Sequence, residues 1–242
     1  MKQMTIDGLP HLPFDVAESL NQLRINLGFS GENIKIIMVT SSTPNEGKSF
    51  VSVNLWRMMA NVGNRVLLID CDLRNSEMVS QYQMRSDEEM YGIVHYLAAK
   101  IGLNDAIYET NQPNGYIIPV TTSVMDPTIL LESKRFQHML DECKREFDYI
   151  LLDTPPLGSV ADALNLATYA DGSLLVVRSG LVPRKMVANS MQLLRRTEAP
   201  LLGVVLNRST VSRKAYNYYY RYSRYGYGYG YGYGYGKSKK KK

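Results

Sequence analysis

Three short polar segments follow apolar runs, and their residue types suit phosphate and cation chemistry. The first is Ser42-Thr43-Pro44-Asn45-Glu46-Gly47-Lys48-Ser49. A glycine, a lysine and a hydroxyl at its end are typical of a strand-to-helix turn whose backbone N–H groups wrap phosphate oxygens. Ser42 stands where this pattern usually has glycine, so a Gly-Lys-Ser that merely begins a helix is the alternative.

The other two segments supply carboxylates at the ends of apolar runs. Asp70 and Asp72 follow residues 66–69, and Asp153 follows residues 149–152. If strand geometry continues to Asp72, Asp70 and Asp72 point to one face. Either aspartate segment alone could be a loop cap. Together with the first segment they favour a nucleotide and Mg²⁺ site, because open α/β sheets bind ligands at the carboxyl ends of their strands.

The apolar runs predict the sheet that must hold these side chains. Six runs rich in branched residues alternate with helical stretches, and they are continuous rather than alternating, which is typical of parallel strands covered on both faces. The runs are residues 34–39, 66–69, 116–120, 149–152, 173–177 and 202–206. The predicted fold class is α/β, with a doubly wound, mainly parallel sheet.

Two helices have clear signals around this sheet. One is predicted over residues 16–27, before the first run. Another is predicted to open at Asp126-Pro127, since Asp is a good N-cap and Pro suits the first helical position, and to end near Phe147. Its apolar side chains are Leu130, Leu131, Phe136, Met139 and Leu140.

The C-terminal segment differs in composition from the rest of the chain. Nine of the 28 Lys and Arg residues and none of the 23 acidic residues follow Ser212. The net charge is therefore +9 for residues 213–242, here called the tail, and −4 for the rest of the chain. The segment also holds eleven tyrosines: Tyr216, Tyr218, Tyr219, Tyr220, Tyr222, Tyr225, Tyr227, Tyr229, Tyr231, Tyr233 and Tyr235. Tyr-Gly alternation over residues 225–236 resists ordering, because glycine loses much backbone entropy. We therefore predict a folded domain over residues 1–212 and a disordered, exposed tail over residues 213–242.

Composition argues against several other classes of protein. Cys71 and Cys143 are too few for a disulfide framework and are expected to be free thiols in a reducing compartment. No run approaches the roughly 18 apolar residues of a membrane span, and the N-terminus has no apolar signal segment. Because the basic excess lies in the tail, the body is not expected to bind nucleic acid. A cytoplasmic location is expected.

On these motifs the chain resembles the bacterial tyrosine kinases that work with capsular and exopolysaccharide machinery. The resemblance covers nearly all of residues 14–242. It rests on residues 41–49, Asp70-x-Asp72-x-Arg74, residues 152–156 and the tyrosine cluster. These kinases are similar in fold to the deviant Walker P-loop ATPases of cell division and plasmid partition. The catalytic-loop and Asp-Phe-Gly motifs of eukaryotic protein kinases are absent here, and so is the early lysine of the partition ATPases, which favours the kinase branch.

The resemblance implies ATP and Mg²⁺, and it assigns roles to individual residues. Lys48 would stabilise the transferring phosphoryl group, and Asp70 would accept the tyrosine proton, although Asp70 and Asp72 could exchange roles. The catalytic set would be Lys48, Asp70, Asp72 and Asp153, with Mg²⁺ held by Ser49, Asp72 and Asp153. ATP contacts would come from Thr43, Pro44, Asn45, Glu46, Gly47, Lys48, Ser49, Phe50 and Asn207. Asn207 could equally be a turn residue.

The resemblance also implies assembly and partners. Glu18, Asn21 and Arg24 occupy, at three-residue spacing, the helix positions where relatives often carry Glu, Arg and Arg for ring formation. Asn21 lacks the bidentate donor of an arginine, which puts the size or strength of a ring in doubt; a solvated helix face is the alternative. A separate transmembrane adaptor at the inner face of the cell membrane and a protein-tyrosine phosphatase are the further partners implied.

Three functions remain open at this point. The first is an ATP-dependent autokinase that phosphorylates its tail tyrosines, mainly in trans, and so regulates assembly and the synthesis and export of capsular or exopolysaccharide. The second is a partition-type switching ATPase that its basic tail directs to a membrane or nucleic acid. The third is a non-enzymatic adhesive role for the Tyr-Gly segment.

Overall fold

A sheet of nine strands runs through the part of the chain that the computed structural model describes, residues 1–31, 33–159, 162–197 and 199–209. The elements in chain order are β1 (Lys2–Ile6), α1 (Phe14–Gly28), β2 (Ile36–Ser41), α2 (Lys48–Asn61), β3 (Val66–Asp70), α3 (Met78–Gln81), β4 (Met84–Arg85), α4 (Ile93–Leu97), α5 (Leu103–Ala106), β5 (Tyr108–Thr110), β6 (Gly115–Ile118), α6 (Thr128–Leu131), α7 (Lys134–Glu146), β7 (Tyr149–Asp153), α8 (Asp162–Ala167), β8 (Gly172–Arg178), α9 (Arg184–Leu194) and β9 (Leu201–Asn207).

The chain divides into two units, Met1–Asn207 and Arg208–Lys242. All of these helices and strands belong to the first unit. The predicted boundary at residue 212 and the eleven predicted acceptor tyrosines, from Tyr216 to Tyr235, lie outside the described residues.

The strand order of the sheet is β4-β1-β5-β6-β3-β7-β2-β8-β9. The six predicted runs correspond to β2, β3, β6, β7, β8 and β9, and each pairs with its neighbours in this group in parallel. The doubly wound, mainly parallel fold class is therefore confirmed. This order places the ends of β2, β3 and β7 side by side, so the polar segments that follow them meet at one edge.

The remaining three strands, β1, β4 and β5, were not predicted. They have two to five residues, and β1 alternates buried and exposed side chains in place of a continuous apolar run. β5 runs antiparallel to β6, and β4 antiparallel to β1. Short, half-exposed strands at the side of a sheet do not produce the uninterrupted apolar pattern that identified the central ones.

Two apolar clusters cover the two faces of the sheet. β2 contributes Met38 to one and Val39 to the other, as expected for successive side chains of a strand. Trp56 of α2 is fully buried in one cluster, and Phe136 of α7 in the other. The sheet is thus a rigid middle layer from whose edge the loops extend.

The helix predicted from Asp126 to Phe147 is in fact two helices, so a single helix was wrong. Ser133 separates α6 from α7: its hydroxyl donates to the Leu130 carbonyl at 2.7 Å and accepts from the Phe136 N–H at 3.2 Å. A serine at this position ends one helix and caps the next. The first helix is confirmed as α1, which is slightly longer than predicted.

Two compositional expectations bear on the described residues. Cys71 and Cys143 are both buried free thiols, as predicted. Within the residues that the structure describes, no helix has the length and apolar character needed to cross a bilayer.

Candidate active site

The loop between β2 and α2 has a backbone shape that few residue types allow. Asn45 has φ 64° and Gly47 has φ 91°, both in the left-handed region that asparagine and glycine tolerate best. A Cβ on Gly47 would lie only 2.1 Å from Nδ2 of Asn207. Glycine is therefore needed at position 47 for space as well as for conformation. α2 begins at Lys48, so its unpaired first N–H groups lie at this loop.

Lys48 meets the first carboxylate segment directly. Its Nζ lies 3.2 Å from Oδ2 of Asp72 and 3.4 Å from Oγ of Ser49. The side chains of Lys48 and Asp72 are 14% and 12% exposed, so the ion pair is largely sheltered but still open to solvent. A cation, a hydroxyl and a carboxylate thus converge at the start of α2.

The second carboxylate segment lies beside the first. β3 and β7 are neighbours, and their register pairs Asp70 with Asp153. Asp153 is buried, and its Oδ1 accepts a hydrogen bond from the Ser52 hydroxyl at 2.9 Å. The structure therefore brings together all four predicted catalytic residues. Ser52 was not predicted, although it lies one helical turn after Lys48 and so on the same face of α2.

Asp70 and Asp72 have different surroundings because β3 ends at Asp70. The Asp72 N–H turns back and donates to Oδ1 of Asp70 at 3.2 Å, so strand geometry does not continue to Asp72. Asp70 has no exposed surface, and its Oδ2 accepts a hydrogen bond from the Ser76 hydroxyl, whereas the Asp72 side chain is 12% exposed. Of the two, only Asp72 presents its carboxylate to Lys48 and to solvent. No sequence signal identified Ser76.

Crowding of carboxylates in a buried site shifts their pKa values. Burial, followed by the charge of Asp153, raises the pKa of Asp70 to about 8. Burial also raises the pKa of Asp153, against the opposing effect of Lys48. Burial disfavours the Lys48 ammonium, but the charges of Asp153 and Asp72 outweigh it, so the pKa of Lys48 is raised. Lys48 is therefore a fully charged cation within a cluster of acids.

The other predicted ATP-contacting residues lie in the loop, in the first turn of α2 and at the end of β9. Pro44 and Asn45 are exposed, Thr43 and Phe50 are half-buried, and Glu46 is buried. Asn207, the last residue of β9, donates from Nδ2 to the Glu46 carbonyl at 2.9 Å. The Asn207 side chain therefore lies against the phosphate loop.

The donor set suits Mg²⁺ bound together with phosphate. Among residues 1–31, 33–159, 162–197 and 199–209, no group of three His, Cys, Asp or Glu residues could hold a metal ion. Mg²⁺ in nucleotide enzymes is commonly bound by one or two carboxylates, with phosphate oxygens and waters completing its shell. Ser49, Asp72 and Asp153 at the loop fit that requirement.

The predicted oligomerisation residues lie elsewhere, on α1. Glu18, Asn21 and Arg24 are all half-buried. The Arg24 guanidinium donates to Oδ1 of Asn21 from Nε at 3.1 Å and from its NH2 group at 2.8 Å. Asn21 therefore binds the neighbouring arginine within the same helix.

Comparison with known proteins identifies the family of this chain. Residues 34–195 match the family model described as an AAA domain. The chain is 38% identical over 202 residues to the tyrosine-protein kinase CpsD of Streptococcus pneumoniae, covering 84% of this chain and 88% of that relative. The chain belongs to the bacterial tyrosine kinase family. The resemblance carried by the phosphate loop and the aspartate motifs is thus confirmed.

Solved structures of similar proteins show the fold group of this bacterial tyrosine kinase. The kinase domain of the Escherichia coli tyrosine kinase ETK matches with a TM-score of 0.73 and 30% identity, covering 90% of this chain and 80% of that one. The septum site-determining protein MinD of Pyrococcus horikoshii, in a structure complexed with Mg-ADP, matches with a TM-score of 0.61 and 25% identity, covering 74% and 72%. The fold is that of a P-loop ATPase.

Proposed function

We propose that this tyrosine kinase transfers the γ-phosphoryl group of ATP to tyrosines in the tail of a second copy of the same chain. The observation that carries the proposal is the sheltered contact of 3.2 Å between Lys48 Nζ and Asp72 Oδ2 at the phosphate loop. Protein kinases use a cation to stabilise the transferring phosphoryl group and a carboxylate to orient the acceptor hydroxyl, so the two must lie close together.

Nucleotide binding rests on the loop between β2 and α2. The N–H groups at the start of α2 face phosphate oxygens, and Lys48 binds the β- and γ-phosphates. Mg²⁺, held by Ser49 and Asp153 directly and by Asp72 only through water, would neutralise phosphate charge when bound and would leave the Asp72 carboxylate available to the acceptor. Because phosphates compete for Lys48, nucleotide binding releases the Asp72 carboxylate that Lys48 holds in the free enzyme.

Asp72, rather than Asp70, is assigned to the acceptor tyrosine. The tyrosine oxygen bonds to the γ-phosphorus as the bond from that phosphorus to the bridging oxygen of ADP breaks, and the phenolic proton passes to the carboxylate. Tyrosine has a pKa of about 10, so the carboxylate acts mainly by orienting the hydroxyl as the bond forms. Asp70 is fully buried and bonded to Ser76, which suits a residue that positions the Asp72 loop.

The tail supplies the acceptors and a charge switch. If the tail is flexible, as its composition predicts, about 20 residues would span about 25 Å on average, enough to enter a neighbouring site or its own, so transfer between copies is implied by the family and not by reach. The tail carries +9 and the remainder −4, so an unmodified tail is attracted to the body of a neighbour. Each phosphate adds about −1.5 to −2, so about five would cancel the tail charge and weaken that attraction. Phosphorylation would thereby regulate assembly and, with a membrane adaptor and a phosphatase, capsular or exopolysaccharide synthesis and export.

A direct test uses the full chain with Mg-ATP and detection of phosphotyrosine by mass spectrometry. The wild type is expected to gain phosphate on tail tyrosines, and Lys48→Met is expected to gain none. Wild-type protein that hydrolyses ATP but forms no phosphotyrosine, even with fragments of membrane adaptors added, would favour the switching ATPase instead. Equal modification of wild type and Lys48→Met would assign the transfer to another enzyme.

A further inference from the structure

A buried carboxylate lies inside the phosphate loop itself. Glu46 has no exposed surface, although glutamate is rarely buried unless it is paired. Its Oε1 accepts hydrogen bonds from the Thr43 N–H at 2.6 Å and from the Thr43 hydroxyl at 3.2 Å. Its Oε2 accepts from the Arg178 N–H at 3.1 Å. Both carboxylate oxygens are therefore used within the protein.

These bonds connect the loop to two strands that end beside it. Arg178 is the last residue of β8, and Asn207 is the last residue of β9. The Glu46 carbonyl accepts from the Asn207 side chain at 2.9 Å, and the Asn207 carbonyl accepts from the Ser179 N–H at 2.9 Å. Glu46 thus links the two residues that flank the exposed turn, Thr43 and Glu46, to the ends of β8 and β9.

The turn that Glu46 closes contains the residues that would otherwise be free to move. Pro44 and Asn45, between Thr43 and Glu46, are exposed, and Asn45 has a left-handed backbone. A segment with few buried contacts samples several shapes unless hydrogen bonds restrict it. A loop already fixed in one shape binds its ligand more tightly, because less ordering remains to be done on binding.

We infer that Glu46 is a positioning residue that holds the phosphate loop in its nucleotide-binding shape by bridging Thr43 and the end of β8. The inference rests on the proposed function for the identity of the ligand. Glu46 acts on the affinity for nucleotide more than on phosphoryl transfer, since its carboxylate is buried among protein donors. This role differs from the direct ATP contact expected from the sequence.

Two substitutions separate the effect of the Glu46 hydrogen bonds to Thr43 and Arg178 from the effect of the carboxylate charge. Glu46→Gln keeps the shape but places an amide donor against an N–H donor at Thr43 or Arg178, which a buried site tolerates poorly. Glu46→Asp keeps the charge but is one methylene shorter, so it cannot span both partners. The exposed Glu142→Gln on α7 is the matched control for charge loss.

The measurements are the dissociation constant for Mg-ADP, the KM for ATP and the kcat of autophosphorylation, with thermal unfolding to verify folding. Both Glu46 variants are expected to bind Mg-ADP about tenfold more weakly or worse and to raise KM similarly. Their kcat at saturating ATP should change less, and Glu142→Gln should match the wild type. If Glu46→Gln does not fold, the Glu46→Asp variant carries the test.

Three results would overturn the inference. Wild-type affinity in Glu46→Gln would show that the carboxylate is not needed. Wild-type affinity in Glu46→Asp would show that charge alone matters and that no bridge is required. A loss confined to kcat would place Glu46 in the chemical step. Failure of the wild type itself to bind Mg-ADP is a separate result, which would contradict the proposed nucleotide site.

Discussion

Lys48 Nζ and Asp72 Oδ2 are 3.2 Å apart in a sheltered ion pair that joins the start of α2 to the segment after β3. These two residues are 24 positions apart in the chain, and the sheet brings them together because β2 and β3 both flank β7. The pair places the cation and the acceptor carboxylate of the proposed reaction in direct contact. It also predicts which of the two neighbouring aspartates is needed for transfer.

Asp72→Asn is expected to lower the rate of autophosphorylation by about 10²-fold or more, because the carboxylate that orients the tyrosine hydroxyl is lost. The measurement is the initial rate of phosphotyrosine formation at saturating Mg-ATP. A rate within threefold of the wild type, in a variant that still binds Mg-ADP, would contradict the assignment of Asp72.

Asp70 predicts a specific pH dependence of stability. Its pKa is raised from 3.8 to about 8, so between these values the folded protein keeps a proton that the unfolded chain releases. The contribution of Asp70 to stability is therefore greatest at acidic pH and is lost as pH rises through this window. The wild type, compared with Asp70→Asn, should lose more than about 1 kcal/mol of unfolding free energy between pH 5 and pH 8.

Urea unfolding of both proteins at several pH values provides the measurement. Taking the difference between wild type and variant removes the contribution of the titrating groups that do not interact with Asp70. A difference that rises with pH, or does not change, would contradict the raised pKa.

Gly47→Ala should abolish nucleotide binding, whereas Gly63→Ala should not. The two glycines have similar backbone angles, φ 91° and φ 96°, but a Cβ at position 63 meets nothing within 4 Å. Both substitutions should cost about 1 kcal/mol for the left-handed backbone. Only Gly47→Ala also pushes Asn207 away from the loop. Mg-ADP titration and urea unfolding of both variants test this, and equal behaviour of the two would contradict the close contact with Asn207.

Arg74 is expected to matter for stability more than other surface-accessible arginines. Its Nε lies 2.8 Å from Oδ2 of Asp162, a carboxylate that is only 2% exposed, whereas Arg85 pairs with the exposed Asp7. Arg74→Ala leaves the buried Asp162 without its main partner and should lower the melting temperature by a few degrees. Arg85→Ala is the control and should change it by about a degree or less. Equal shifts in the two variants would show that Asp162 tolerates the loss.

The parallel centre of the fold could be predicted because strands that are buried on both faces are continuous apolar runs in the sequence. β2, β3 and β7 are continuous apolar runs, and each is followed by polar residues at the same edge of the sheet. That pattern is enough to bring Lys48, Asp70, Asp72 and Asp153 together. Short strands such as β4, with two residues, leave no such trace.

The finer chemistry of the site depends on tertiary contacts that no local pattern encodes. Asp70 and Asp72 have the same residue type and are two positions apart. Only the end of β3 and the Ser76 hydroxyl leave Asp70 buried and Asp72 accessible. The role of Glu46 likewise depends on Arg178, which is 132 residues away in the chain. Hydrogen bonds across such separations become visible only in the folded structure.

The most direct test of the central claim mixes two full-length chains with Mg-ATP. One is Lys48→Met, labelled with ¹⁵N and unable to transfer phosphate; the other has an intact active site but carries phenylalanine at all eleven tail tyrosines. We predict phosphotyrosine on the tail of the labelled Lys48→Met chain, detected by its mass. If wild-type protein alone forms phosphotyrosine but the labelled chain in the mixture does not, transfer between copies is contradicted. If the tail carries no phosphotyrosine either in wild-type protein alone or in the labelled chain, the tail is not the substrate.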